Sequence, residues 1–359
     1  MARADFWPAR VRPSGMKTSR LVRLLHPPVP MLVIWAIDAI REPGTLLEHS
    51  AAVLDEWAAR LPLQVEPVFV LTPSQLDLAL TPDGRLPMGV ESRHRAAAER
   101  ALAQVVDQHS ANRSHLRRSL LPPVVLMEHR TRTRAAVEAL ENHARSRGAM
   151  LVALPTHGRR GAARFLLGSF AETLLLQARV PTLAIGPGVE TVPSLERMAF
   201  ATDFAPGSKE LFREVVGFAS QVRAKLWLYH SVPNLVEPIF QSGAYLFSGA
   251  WIPARNYFAE EVQQRYRRGM AWARWAENQG VECNFILDES MGSISDHILQ
   301  LLESERIGLA AIASRSGTVA STLLGSICRQ VVRSASCPVW ILHPGEAAAV
   351  EEKPRALAG

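Results

Sequence analysis

Pro155-Thr-His-Gly-Arg-Arg-Gly-Ala-Ala-Arg-Phe-Leu-Leu-Gly-Ser169 and Ser314-Arg-Ser-Gly-Thr-Val-Ala-Ser-Thr-Leu-Leu-Gly-Ser326 are two versions of one segment in a chain of 359 residues. Leu-Leu-Gly-Ser stands at 166–169 and again at 323–326, an offset of 157. A helical run and then a short apolar run follow each version: Val180-Pro-Thr-Leu-Ala-Ile185 in the first, Cys337-Pro-Val-Trp-Ile-Leu342 in the second. Pro181 and Pro338 keep the same offset. Upstream, Met31 to Asp38 and Met198 to Asp203 are apolar runs ending in aspartates 165 residues apart, so the second copy is about eight residues shorter between these landmarks. A period near 160 is far longer than a solenoid repeat and marks a duplicated domain.

Each copy alternates strand and helix signals. Strands are expected near 31–37, 65–71, 122–128, 149–154 and 181–185, and again at 198–202, 225–229, 281–287, 307–313 and 338–342. Helical spacing runs over 208–223, 255–279, 294–303 and 326–334. Short, nearly continuous apolar strands separated by helices predict parallel sheets covered on both faces. The expected fold is α/β, with two doubly wound, Rossmann-like domains of about five strands each. Segments 73–92 and 233–254 follow the second strand of each copy and read as long loops or lids. The domain limits are a tail 1–29, a first domain 30–187, a linker 188–195, a second domain 196–344 and a tail 345–359. Gly186-Pro-Gly-Val-Glu-Thr-Val-Pro193 has the composition of an exposed connection.

Composition is that of a globular protein, with 48% hydrophobic and 21% charged residues, which excludes a disordered chain. Runs such as Met31 to Ile37 fall short of the roughly 18 apolar residues of a membrane span. The formal net charge is +6, but residues 1–30 set six basic groups against Asp5 alone and hold +5 of it. The basicity belongs to the tail, which reads as a solubilising or misassigned leader in preference to a nucleic-acid or membrane contact. Secretion is not expected, because no apolar stretch of signal type follows the basic residues. Three scattered cysteines build no disulfide scaffold and point to a reducing, cytoplasmic setting.

In an open α/β sheet, ligands bind at the carboxyl ends of the strands. Pro155 to Gly158 follows the fourth strand and lies at that edge, and Gly168-Ser169 opens a helix whose free amides suit a phosphate. Ser169 is placed both to cap that helix and to donate to a phosphate oxygen. Asp38 ends the first strand on the same edge, where a carboxylate accepts hydrogen bonds from ribose hydroxyls or an adenine amine. His157, Arg159 and Arg160 are further candidate phosphate contacts. Taken singly, each element has a plainer reading: Gly-Ser as a helix cap, a strand-end aspartate as the cap of the next helix, loop arginines as solvated charges.

The ordered set resembles the universal stress protein family, with two domains fused in tandem over roughly residues 30–343. Nucleotide-binding members carry Gly-x2-Gly-x9-Gly-Ser/Thr after the fourth strand. The first copy reads Pro155-x2-Gly158-x9-Gly168-Ser169, and Ala201-Thr-Asp203-Phe-Ala resembles the family's opening. The resemblance implies ATP, with or without Mg, held by Asp38, Leu154, Pro155, His157, Gly158, Gly168, Ser169 and Phe170. The second copy supplies Asp203, Ser314, Gly317, Gly325, Ser326 and Ile327. Pro155 replaces the first glycine, and in the second copy Ser314 replaces it and the spacer shrinks to seven residues, 318–324. The first domain is therefore the expected nucleotide site and the second a degenerate pairing partner. The family pairs domains through the fifth strand. Here Pro181–Ile185 and Pro338–Leu342 pair either within one chain or between two copies.

The alternative is an interaction protein of the same fold that binds no nucleotide. Enzymatic readings are disfavoured. The chain has no P-loop, no Gly-x-Gly-x2-Gly after a first strand, no Ser-Gly-Gly-x-Asp-Ser loop, no His-Glu-x2-His, no paired Cys-x2-Cys and no Gly-x-Ser-x-Gly. Slow ATP hydrolysis is left open, although no residue stands out as its base. The expected partners are an adenine nucleotide and a protein, with neither membrane nor nucleic acid.

Overall fold

Val33, Ile34 and Trp35 are consecutive and all fully buried. Successive strand residues point to opposite faces, so a strand buried at every position must be covered on both sides. The computed structural model, which describes residues 30–40, 44–73, 90–156, 168–205, 207–232, 251–313 and 325–343, shows this arrangement. The first half contains β1 Met31–Ala36, β2 Leu63–Leu71, β3 Val124–Met127, β4 Leu151–Pro155 and β5 Thr182–Ile185. The second contains β6 Arg197–Ala201, β7 Lys225–Ser231, β8 Cys283–Asp288, β9 Leu309–Ala313 and β10 Val339–Leu342. The helices between them are α1 Thr45–Arg60, α2 Val90–Ser110, α3 Ser114–Ser119, α4 Thr133–Ser146 and α5 Ser169–Gln177. In the second half they are α6 Ser208–Val222, α7 Trp251–Asn278, α8 Ile294–Ser304 and α9 Ser326–Ser334.

The ten strands form one sheet in the order β3-β2-β1-β4-β5-β10-β9-β6-β7-β8. Each half repeats the same parallel order. The seam is antiparallel, with Val339 opposite Ala184, Trp340 opposite Leu183 and Ile341 opposite Thr182. Both cores run through both halves. On one face Val33, Trp35, Phe200 and Trp340 pack under α1, α2, α6 and α7. On the other, Ile34, Val152 and Ile341 pack under α4, α5, α8 and α9.

The seam is built from side chains of both halves. Phe218 of α6 meets Trp57 of α1 at 5.1 Å between ring centroids and Trp340 of β10 at 5.2 Å. Across the opposite face Arg329 of α9 pairs with Glu172 of α5 at 3.5 Å. The connection after β5 is exposed at Pro187 and from Glu190 to Val192, with Val189 buried between them. A Cβ at Gly186 would lie 2.6 Å from the Val332 carbonyl oxygen, and one at Gly188 2.5 Å from that of Ala335. Glycine is needed there for close backbone approach to α9, not for a flexible turn.

Helix α7 starts at Trp251, inside a segment expected to be a loop. The remaining residues of the two expected lids, 74–89 and 233–250, lie outside the described residues, as do both tails.

Candidate ligand crevices

Strand order reverses once in each half, beside β1 and beside β6, and the carboxyl edge at that reversal is where a crevice opens. β1 pairs with β4 as far as Trp35 opposite Ala153. Beyond that point the chains separate, leaving Asp38 on one side and Leu154 and Pro155 on the other. Pro155 faces Ile185 of β5, and the next amide, Thr156 N, donates to the Ile185 carbonyl at 2.9 Å. Since amides alternate along a strand, the missing N–H of Pro155 points toward β1, where the ladder has already ended. The proline therefore costs the sheet no hydrogen bond. Thr156 is buried, and its position against β5 sets the direction in which the chain leaves the edge.

Gly168, not Ser169, is the N-cap of α5, and its carbonyl accepts the Glu172 amide at 2.9 Å. Ser169 falls in the first turn, so its predicted capping role passes to a residue without a side chain. The amides of Ser169, Phe170 and Ala171 therefore lack intrahelical acceptors, as at any helix start. Gly325 and Ser326 repeat this at α9, with Arg329 N donating to the Gly325 carbonyl at 3.1 Å. Ile327 follows in the first turn and is half-buried. A Cβ at Gly168 or at Gly325 meets nothing within 4 Å. His157, Gly158, Arg159, Arg160, Ser314 and Gly317 lie outside the described residues.

The two aspartates end their strands alike. Asp38 Oδ1 accepts the Ile40 amide at 3.2 Å. Asp203 Oδ1 accepts the Ala205 amide at 2.9 Å and the Ser208 hydroxyl at 3.4 Å, which ties it to the start of α6.

The carboxyl ends of β6 and β7 bring together groups that the sequence did not mark. His230 is buried at the end of β7; its Nδ1–H donates to the Thr202 carbonyl at 2.7 Å, and its Nε2 accepts from Arg265 at 3.0 Å. Arg265 is always charged and only donates, so it fixes this tautomer. Burial holds the imidazole pKa below its ordinary value against the opposing pull of the Thr202 bond, and Arg265 and Arg268 add to the lowering. Arg268 also donates to the Phe204 carbonyl at 3.3 Å. Phe204 itself has φ +58°, an uncommon conformation for a bulky residue. Its amide bonds Thr202 Oγ1 at 3.1 Å, and its ring packs against His230 at 4.6 Å and Trp272 at 4.9 Å. Two arginines three residues apart on the helix after β7, opposite a histidine within an apolar strand, were the available signal. Among the described residues no group of three or more His, Cys, Asp or Glu is placed to hold a metal ion.

The family model for the universal stress protein family matches residues 36–186 and 195–343. The chain belongs to the universal stress protein family. Both halves of the sheet are therefore universal stress protein domains, fused in tandem. A universal stress protein from Archaeoglobus fulgidus DSM 4304 is similar in structure, with a TM-score of 0.55 at 15% identity, covering 88% of this chain and 97% of that one. A functionally unknown protein from Pseudomonas aeruginosa PAO1 gives 0.54 at 13% identity, with 89% and 95% covered. At these identities the likeness is one of fold. No curated protein matches the sequence. Among the described residues no helix is long and apolar enough to cross a membrane.

Proposed function

We propose that this universal stress protein binds an adenine nucleotide, ATP with or without Mg, in its first domain and acts as a cytoplasmic, non-enzymatic stress or signalling module. The second domain serves pairing. The observation that carries this reading is the shared edge. Asp38 follows β1, Leu154 and Pro155 end the neighbouring strand β4, and Gly168 caps α5, whose first-turn amides have no intrahelical acceptors. A carboxylate for ribose or adenine and an amide cluster for phosphate suit the two ends of one nucleotide. In the second domain the spacer before Gly325 is shorter, which supports the first domain as the site.

A protein-binding module that has lost nucleotide affinity is the second reading, favoured by Pro155 in place of a glycine amide. Mass spectrometry of nucleotide released on denaturing the purified chain separates the two. Released ATP or ADP supports the first, and a nucleotide-free chain that takes up none at millimolar concentration leaves the second.

A further inference from the structure

The helices of a doubly wound sheet run against its strands, so α1, α6 and α7 end at the amino edge, away from both crevices. At that edge a cleft of about 650 Å³ lies between the two domains. Its size is that of a small-molecule site. Arg60, Leu61 and Pro62, where α1 turns into β2, supply the first domain's wall. α6 and the end of α7 supply the other, so the cleft exists only because the domains are joined.

We propose that this cleft is a second small-molecule site and takes a flat aromatic anion. The charge follows from the lining, which includes two guanidinium groups, Arg60 and Arg213, and no carboxylate. Arg60 is held in place by Glu56 at 2.7 Å and by the Ser194 hydroxyl at 3.3 Å and lies 3.8 Å from the Glu196 carboxylate, and its fork keeps further N–H donors beyond these contacts. Arg213 stands on the facing wall with a looser ion pair to Glu210 at 3.4 Å. The flat aromatic part follows from Trp275, partly buried and 6.0 Å from the Phe212 ring, with Pro62 and Val216 beside it in the lining. Guanidinium pairs with carboxylate, sulfonate or phosphate oxygens, while a planar ring stacks on indole.

Gly217 is the independent observation. It lies in the interior of α6, where glycine weakens a helix, and a Cβ built on it meets nothing within 4 Å. No neighbour requires the glycine. Gly217 is exposed and lines the cleft, so its missing side chain widens the opening.

The test uses the full chain and anilinonaphthalene sulfonate, a flat aromatic anion that fluoresces when shielded from water. The expected result is saturable binding of one probe per chain. Affinity should drop by about tenfold or more, a loss of roughly 1.4 kcal/mol, in Gly217→Leu and in an Arg60→Ala, Arg213→Ala double variant. Gly168→Val should leave it unchanged. Gly217→Ala is the folding control and should melt no lower than the natural chain. Probe binding that survives Gly217→Leu, that Gly168→Val abolishes, or that does not saturate by millimolar concentration overturns the proposal. None of these outcomes depends on whether the first domain holds a nucleotide, because the Gly168→Val variant reads that site separately.

Discussion

Trp57 and Phe218 stand 161 residues apart in sequence and meet at 5.1 Å between ring centroids, one from each universal stress protein domain. Phe218 also reaches Trp340 at 5.2 Å, so a single side chain of α6 links the first domain's helix layer to the last strand of the sheet. Phe218→Ala removes both ring contacts and leaves a void at the seam. The expected cost is about 3–5 kcal/mol in chemical denaturation. Because the seam couples the domains, the variant should also unfold in two separated steps where the natural chain unfolds in one. An unchanged midpoint would show that the seam contributes little.

Glu66 of β2 is buried and accepts from Arg147 at 3.0 Å, with His143 Nε2 at 2.7 Å. By strand register its counterpart in the second domain is Trp227, because Ile34 faces Glu66 as Ala199 faces Trp227. The same place in the sheet is filled by a buried carboxylate with its His143 and Arg147 partners in one domain and by an indole in the other. Removing both partners strands a buried carboxylate, so a His143→Ala, Arg147→Ala variant should lose about 3–5 kcal/mol. Glu66→Leu should lose far less, since Arg147 can turn to water. Equal losses in denaturant melts would contradict this.

His343 ends β10 with both ring nitrogens buried and without a hydrogen-bond partner among the described residues. Burial pushes its pKa down to about 4. A histidine with a lowered folded pKa stabilises fully above the unfolded value near 6.5, and that contribution fades as pH falls toward 4. The chain should lose roughly 3 kcal/mol between pH 7 and pH 4 through this group. His343→Leu should flatten that part of the stability profile. A profile as steep as that of the natural chain would rule the group out.

Cys283, Cys328 and Cys337 are free and buried, and burial pushes each thiol up to about 12. Thiolate, not thiol, reacts, so a disulfide reagent should label none of them in the native chain and all three in denaturant. Labelling of a native thiol within seconds would place it on an open surface.

The sequence carried the strands because each is an apolar run bounded by turn residues, and the duplication cross-checked every assignment. It did not carry the seam. Thr182–Ile185 is buried at every position, and such a strand has the same pattern whether its partner belongs to its own chain or to another copy. The positions of Asp38, Leu154, Pro155 and Gly168 followed from the parallel order alone. The identity of the helix cap did not, since Gly168 and Ser169 are neighbours and backbone angles decide between them. His230, Arg265 and Phe204 escaped because each belongs to a different element and means nothing until β7, α7 and the turn after β6 are brought together.

The central claim is one adenine nucleotide per chain, in the first domain. Calorimetric titration of ATP into chain stripped of bound nucleotide tests it most directly. The account predicts a stoichiometry of one, abolished by Gly168→Val and by Asp38→Ala and unaffected by Gly325→Val. Two sites per chain, loss of binding in Gly325→Val alone, or no heat with ATP or Mg-ATP at millimolar concentration would contradict it.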